Sequence, residues 1–241
     1  IGKSRAGPYG GFMVETDDAC GQLLKALEAS GQAENTIVIF SADNGPENYA
    51  MARDKKYDHW SSAPFRGLKR FTYEGGHHVP FVIKWPGVTE PGSVSDALIS
   101  QVDIMATLAA LVGYDIPQGQ AEDSLDHLPV LRGTTEAVRT STVHNTYAQS
   151  YGIRQGDWVL LNVGASAPKA GKLDKTWARK HGYPSEKQKR NMLYHLKEDQ
   201  GQQHEVSAEH PERVEQMVEL LKRTLGEECS AKAFASTEEQ K

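Results

Sequence analysis

The sequence predicts an α/β fold that continues into a small α+β subdomain, and three observations support this. A helical apolar pattern at residues 12–29 is followed by the short apolar run 36–40. Helix followed by buried strand is the order of elements in α/β layer folds. After about Gly133 the pattern changes to short strands that end in one amphipathic helix. We therefore divide the chain into two units, 1–138 and 139–241.

The first unit is predicted from alternating helical and strand patterns. The helix at 12–29 has an apolar face that repeats every three or four residues and includes Cys20. The run 36–40, Thr-Ile-Val-Ile-Phe, is typical of a strand buried on both faces. A second strand of this kind is expected at 80–85, where Pro-Gly follows, and another helix at 100–112.

The second unit is predicted to be a small antiparallel sheet with a terminal helix. Residues 151–161 have a strand–turn–strand pattern around the turn 155–157, and residues 193–196 suit a further strand. The last helix begins at Pro211 and ends before Gly226. Its acidic residues come first and its basic residues last, which matches the helix dipole.

Composition sets broad limits on function. The chain has 241 residues, of which 38% are hydrophobic and 24% charged, as in a soluble globular protein. The net charge of −5 gives no reason to expect nucleic-acid binding, and no apolar run reaches the roughly 18 residues of a membrane span.

Cys20 is expected to be buried, and Cys229 to be a free thiol in a polar tail. Because the chain begins at Ile1 in mid-pattern, we interpret it as part of a longer protein.

Asp43 and Asn44 directly follow the first predicted strand. In open α/β sheets, ligands bind at the carboxyl ends of strands. Carboxylate and amide oxygens suit Ca²⁺ or Mg²⁺, although two ligands do not fill a shell of roughly six to eight oxygens. The alternative interpretation is an ordinary hairpin turn, because Asn-Gly is a common turn sequence.

A cationic segment precedes the second predicted strand. Lys69 carries a compact charge suited to the oxygens of sulfate or phosphate, and Arg66 and Arg70 raise the local positive potential. Gly75 and Gly76 follow Glu74 and permit close approach of the backbone. The alternative is that the cations simply cover a solvated loop.

Other candidate residues have equally ordinary alternatives. His59 lies in a polar aromatic loop, and His77 precedes the second strand, so either could contact substrate or donate a proton. The alternative for each is an ordinary hydrogen-bonded or exposed histidine. The basic segment 169–190 could steer an anionic glycan, with Trp177 stacking on a sugar, or it could be a plain insertion between strands.

These motifs, in this order, resemble the C-terminal half of a type I sulfatase, of the arylsulfatase group in the alkaline-phosphatase superfamily. The most specific part is Gly-Leu-Lys, Glu-Gly-Gly and Val-Pro within 67–80, preceded by the strand ending in Asp-Asn-Gly. The resemblance is nearly end to end and also covers 17–24, 101–108, 123–133, 153–161 and 193–218. It implies an alkaline-phosphatase-like α/β sandwich, of which this chain holds the later part.

The resemblance implies roles for individual residues. Asp43 and Asn44 would be ligands of Ca²⁺, which is favoured over Mg²⁺, and Lys69 would be the catalytic residue that contacts the sulfate. From the residue patterns above, we also expect His59, Arg66, Arg70 and His77 to bind substrate. In the family the nucleophile is a formylglycine made from cysteine in a Cys-x-Pro-x-Arg or similar motif.

The chain departs from the family pattern at two points. Neither Cys20-Gly21-Gln22-Leu23-Leu24 nor Cys229-Ser230-Ala231-Lys232-Ala233 has the formylglycine motif. The nucleophile is therefore expected in an N-terminal portion that this chain lacks, and the chain alone is expected to be inactive. His78 stands where relatives commonly carry arginine, which leaves the substrate contacts there open.

The expected function is hydrolysis of a sulfuric ester, on a sulfated carbohydrate or an aryl sulfate. The expected partners are that substrate and the N-terminal portion of the same protein. Family resemblance alone favours a periplasmic or secreted location. Two alternatives stay open: a phosphodiesterase or phosphonate hydrolase of the same superfamily, and a non-catalytic binder of sulfated glycans.

Overall fold

The computed structural model describes residues 2, 4–146, 150–163, 175–181 and 190–226. The helices and strands, in chain order, are α1 Gly7–Ala29, β1 Val38–Ser41, α2 Tyr49–Tyr57, β2 Phe81–Lys84, α3 Asp103–Val112, α4 Leu128–Leu131, β3 Ser141–Asn145, β4 Ser150–Gln155, β5 Trp158–Val163, α5 Lys175–Lys180, β6 Met192–His195 and α6 Pro211–Gly226. Short 3₁₀ turns cover Ala33–Asn35 and Glu74–Gly76. Among the described helices, none has the length and apolar character needed to cross a bilayer.

β1 and β2 form a two-stranded antiparallel sheet in which Val38 lies opposite Lys84. The prediction that both faces of β1 are buried is wrong for this structure. Phe40 is 44% exposed and Val82 is 59% exposed. The physical reason is that α3 and α4 line an apolar cleft over the opposite face only, whereas no described element covers the face of Phe40 and Val82.

α1 is longer than predicted, and its apolar face is not packed against the rest of the described chain. Gly10 is its only buried residue, while Leu23 is 71% exposed. Cys20 is half-buried rather than buried, which corrects the expectation for that residue. A helix with an exposed apolar face of this kind is marginal in isolation, because most helix stability in proteins comes from packing.

The second sheet has four antiparallel strands in the order β3-β4-β5-β6. The predicted hairpin is confirmed: β4 and β5 pair from Gln155 opposite Trp158, around a turn in which Gly156 has a φ of 58°. α6 covers one face of the sheet, in a core of six buried residues: Ile153, Leu160, Leu193, Met217, Leu220 and Leu221. The predicted α+β arrangement of sheet and terminal helix is therefore present.

The other face of this sheet packs on the first unit. Its buried residues Val159, Leu161, Met192 and Tyr194 form one core with Ala50, Leu68, Phe71 and Tyr73. Because side chains alternate between the faces of a strand, β5 and β6 contribute to both cores. The division at 138 and 139 stays a prediction, and this core crosses it.

α2 was not predicted, and it explains the position of Trp177. The Trp177 indole Nε1–H donates to Asp54 Oδ2 at 2.8 Å, and His181 Nε2 lies 2.8 Å from the same oxygen. Trp177 is buried against Trp60 in the core between the four-stranded sheet and the first unit. The hypothesis that Trp177 stacks on a sugar is therefore wrong in this structure. Most of the basic segment 169–190 lies outside the described residues, as does Cys229.

Candidate active site

A cavity of about 280 Å³ lies where the end of β1, the loop before β2 and the end of β3 meet. The end of β1 and the loop before β2 carry site residues expected from the sequence. The end of β3 carries residues that were not expected. Its walls are made by Asp43, Asn44, Lys69, Arg70, Phe71, Gly76, His77, His144, Asn145 and Thr146. Most of the predicted site residues therefore share one cavity.

Asp43 and Asn44 lie on a loop that leads from β1 to α2, not in a hairpin turn, because β1 pairs with the later strand β2. Asn44 Nδ2 donates to the carbonyl oxygen of Gly45 at 2.9 Å, which leaves its Oδ1 as an acceptor. Gly45 N donates to the carbonyl oxygen of Gly76 at 3.0 Å. A Cβ on Gly45 would lie 1.9 Å from the carbonyl oxygen of Gly75, so this close approach requires glycine.

Lys69 and Arg70 are held by the same carboxylate. Lys69 Nζ lies 4.0 Å from Glu47 Oε1, and Arg70 Nη1 hydrogen-bonds that oxygen. Burial alone would raise the pKa of Glu47, but the hydrogen bond from Arg70 and the nearby charges lower it. Lys69 N also donates to the Pro46 carbonyl oxygen at 2.9 Å, which ties the cationic loop to the loop that carries Asp43.

His77 and His144 form a stacked pair in the cavity wall, with ring centroids 3.6 Å apart. Each Nε2 faces the Thr72 carbonyl oxygen, at 3.3 Å from His77 and 2.9 Å from His144. A carbonyl can only accept, so both Nε2 atoms carry hydrogen. Burial lowers the pKa of His77, and it lowers the pKa of His144 to about 3. Both rings are therefore neutral at pH 7.

Glu74 lies buried behind the histidine pair. Its Oε2 accepts a hydrogen bond from His78 Nδ1 at 2.7 Å, and Arg154 Nη1 lies 3.6 Å away. Burial alone would raise the pKa of Glu74, but the hydrogen bond from His78 and the neighbouring cations lower it to about 2. His78 also stacks on Phe65. It is a hydrogen-bond partner of Glu74 and is not part of the cavity wall.

Two predicted substrate contacts lie elsewhere. Arg66 is buried, its guanidinium is 4.1 Å from the Tyr73 ring centroid, and its Nη1 donates to the Gln202 carbonyl oxygen at 2.7 Å. Gln202 in turn accepts from Glu74 N at 2.7 Å, so Arg66 ties the site loop to the C-terminal subdomain. His59 is exposed and outside the cavity wall. Neither residue lines the cavity, and substrate contact by Arg66 or His59 stays a prediction.

The sequence interpretation missed His144, Asn145 and Thr146. They belong to β3 and its exit, a strand that was not predicted. The local signal was weak, because Ser-Thr-Val-His-Asn holds one apolar residue and does not alternate in polarity, and only Thr142 and Val143 are β-branched.

The comparisons with known proteins agree with this architecture. A family model described as "Sulfatase" matches residues 3–114, and one described as "N-sulphoglucosamine sulphohydrolase, C-terminal" matches residues 67–230. An N-acetylgalactosamine-6-O-sulfatase of Bacteroides thetaiotaomicron is 31% identical over 91% of this chain and 42% of its own length. Human arylsulfatase A is 41% identical over 58% of this chain and 26% of its own length.

A solved structure described under metabolism of multiple glycosaminoglycans by Bacteroides thetaiotaomicron matches with a TM-score of 0.77. It is 30% identical and covers 92% of this chain and 45% of its own. The fold is thus that of the alkaline-phosphatase-like α/β proteins, as predicted. Within that class, the chain belongs to the sulfatase family. It spans less than half the length of these relatives.

Proposed function

We propose that this chain is the C-terminal part of a calcium-dependent sulfatase that hydrolyses the sulfuric ester of a sulfated carbohydrate or an aryl sulfate. In this proposal, the cavity of Asp43, Asn44, Lys69 and Arg70 is the C-terminal side of the active site. The remaining side comes from an N-terminal portion of the same protein. As for many members of the family, we expect that protein to be periplasmic or secreted.

The observation that carries the proposal is the convergence of Asp43, Asn44 and Lys69 on one cavity. Two oxygen donors and one ammonium group are the parts needed to hold a hard cation and an anionic ester side by side. The backbone bonds from Gly45 to Gly76 and from Lys69 to Pro46 keep the two loops together. Neither the donors nor the cation is sealed in the interior, so all three are available to a ligand.

The donor set fits calcium in part. Asp43 and the Oδ1 of Asn44 are hard oxygen ligands on the cavity wall. In the described portion of the chain, no three His, Cys, Asp or Glu side chains cluster closely enough to hold a metal ion. The other ligands are therefore assigned to the N-terminal portion. Bound there, calcium would act as a Lewis acid toward the sulfuryl oxygens. A formylglycine in that portion would supply the nucleophile.

The residues of this chain would bind and orient the ester. Lys69 would donate hydrogen bonds to sulfuryl oxygens and stabilise the charge that develops on them in the transition state. Arg70 would add positive potential at the same rim. His77 would present a neutral ring to the substrate, because burial lowers its pKa. The volume of about 280 Å³ is near the lower end of small-molecule pockets, roughly 300–1,000 Å³.

The first experiment uses the full-length protein, produced in a host that forms formylglycine. It compares hydrolysis of 4-nitrophenyl sulfate and bis(4-nitrophenyl) phosphate by the wild-type protein and by Lys69→Ala. We expect sulfate ester hydrolysis that falls about 100- to 1,000-fold in Lys69→Ala, as on removal of one oxyanion donor. Lys222→Ala is the matched control, because Lys222 is an exposed lysine on α6. Equal rates in wild type and Lys69→Ala would overturn the role of Lys69.

The metal is tested separately by removing it with EGTA and titrating Ca²⁺ or Mg²⁺ back. We expect Ca²⁺ to restore activity, and Asp43→Ala to require a higher Ca²⁺ concentration, with the exposed Asp115→Ala as control. Activity that survives chelation would contradict calcium dependence. Hydrolysis of the phosphodiester alone would favour the phosphoesterase alternative. Binding of sulfated glycan without hydrolysis of either ester would favour the non-catalytic binder.

A further inference from the structure

The end of β3 holds the backbone of the loop that carries Lys69. Thr146 Oγ1 donates to the carbonyl oxygen of Arg70 at 2.7 Å, and His144 Nε2 donates to that of Thr72 at 2.9 Å. Residues two apart in a strand point to the same side, and the two carbonyls are also two residues apart. A side chain of β3 and that of Thr146, the residue that follows β3, therefore substitute for the hydrogen bonds that a neighbouring strand would give this loop.

The held loop contains an unusual backbone conformation. Arg70 has a φ of 75°, in the left-handed region that non-glycine residues rarely adopt. Such a conformation is strained and persists only where the surroundings enforce it. The Thr146 hydrogen bond falls on the carbonyl of Arg70 itself, and the Arg70 side chain is fixed by Glu47. Outliers of this kind concentrate at functional sites.

His144 is itself fixed from two sides. Its ring stacks on His77 and lies over Gly152, its partner on β4. A Cβ on Gly152 would lie 2.1 Å from His144 Nε2, so only glycine leaves room for the ring. His144 Nδ1 is buried without a hydrogen-bond partner in the described part of the chain. An apolar residue at this position would avoid the cost of burying a nitrogen atom without a hydrogen bond.

We infer that Thr146 and His144 are positioning residues, which fix the backbone of residues 70–72 and thereby aim Lys69 and Arg70 at the anionic group of the substrate. This inference rests on the proposed function for its choice of reaction. In this inference the C-terminal subdomain has a role in the active site, because the side chains of His144 and Thr146 belong to residues 139–241 and contact the loop of the first unit. A shift of about 1 Å in a positioning contact can cost about 100-fold in rate.

The test compares Thr146→Val with Thr146→Ser in the full-length protein. Valine keeps the shape and removes the donor, whereas serine keeps the donor. We expect valine to lower kcat for 4-nitrophenyl sulfate about 10- to 100-fold with a smaller change in KM, and serine to stay within about threefold of wild type. Thr142→Val is the matched control, since Thr142 lies on the same face of β3 but outside the cavity wall.

A merely structural role predicts a different pattern. Valine would then lower the unfolding midpoint and leave kcat unchanged, or valine and serine would be impaired equally; either result would overturn the inference. Gly152→Ala provides a second variant that leaves Thr146 intact and displaces His144, and it should lower kcat in the same direction. Unchanged kcat in Gly152→Ala would remove His144 from the assignment.

Failure of the proposed function can be told apart from failure of this inference. If the wild-type protein hydrolyses only bis(4-nitrophenyl) phosphate, the same kcat comparison is made with that ester. If it hydrolyses neither ester, affinity for inorganic sulfate is measured by titration calorimetry. We then expect about tenfold weaker binding in Thr146→Val and near wild-type binding in Thr146→Ser, and equal affinities would overturn the inference.

Discussion

Arg139 and Asp103 form a buried ion pair that joins the start of α3 to the residues just before β3. Arg139 Nε lies 2.9 Å from Asp103 Oδ2, and Asp103 has no exposed surface. Asp103 also accepts from the backbone N–H groups of Ser100 and Leu125. Burial alone would raise the pKa of Asp103, but the adjacent His127 ring and the hydrogen bonds from Arg139 hold it well below its usual range. The pair lies at the joint between the two predicted units.

Asp103→Asn should destabilise the full-length protein strongly. Removing one partner of a buried ion pair leaves the other charge uncompensated and typically costs about 3–5 kcal/mol. Chemical denaturation at pH 7 should show this loss, while the exposed Asp115→Asn should change stability little. A loss below about 1 kcal/mol would mean that the pair contributes as weakly as a surface salt bridge.

Acid should weaken the fold through His144. The folded chain keeps this ring neutral down to a pKa of about 3, whereas an unfolded histidine titrates near 6.5. Unfolding therefore takes up a proton below pH 6.5, and stability falls as the pH falls. The slope is at most about 1.4 kcal/mol per pH unit for one group. His144→Gln should reduce the slope between pH 6.5 and 4.5.

Trp177→Phe should affect stability but not substrate affinity. The substitution removes the hydrogen bond to the buried carboxylate of Asp54, at a cost of about 1–3 kcal/mol. Trp158→Phe is a suitable comparison, because Trp158 packs at the α6 face of the sheet without a described hydrogen bond from its indole. The KM for a sulfated sugar should stay the same in both variants. A raised KM in Trp177→Phe alone would revive the sugar-stacking hypothesis.

Gly45→Ala should separate the two loops of the site. The added Cβ would lie 1.9 Å from the Gly75 carbonyl oxygen, and neither backbone can give way without moving Asn44 or Lys69. We expect at least about a tenfold drop in kcat/KM, together with weaker restoration by Ca²⁺ after chelation. Gly21→Ala is the control: nothing lies within 4 Å of its Cβ position, and alanine favours a helix by about 1 kcal/mol. Wild-type kcat/KM in Gly45→Ala would show that the contact tolerates a methyl group.

The elements that the sequence predicted correctly are those with local signals. The turn at Gly156 and the apolar stripe of α6 each depend on residues close together in the chain. α2 was missed because Tyr-Ala-Met-Ala-Arg-Asp-Lys-Lys-Tyr has too few apolar residues to define a face, and its stability comes from long-range contacts such as Asp54 with Trp177.

The candidate site could be predicted only in part, for a related reason. Arg66 and Arg70 look equivalent in the sequence, yet one is buried beside Gln202 and the other lines the cavity. The difference arises from the left-handed backbone at Gly67 and Arg70 and from a partner far along the chain. The hydrogen bond from Thr146 to the carbonyl oxygen of Arg70 depends on a strand whose place in the sheet is set by tertiary packing.

The alternation of the four-stranded sheet has a consequence for how variation in this region is read. Along β5 and β6, Leu160 and Leu193 face α6, whereas Val159 and Tyr194 face the loop that carries the site. Substitutions at neighbouring positions should therefore affect different properties, namely the stability of the subdomain or the geometry of the site. In a saturation mutagenesis map, alternate positions should switch between effects on abundance alone and effects on turnover per folded molecule. Mutational effects that alternate between these two kinds at every second residue would reflect the alternation of side chains in this sheet.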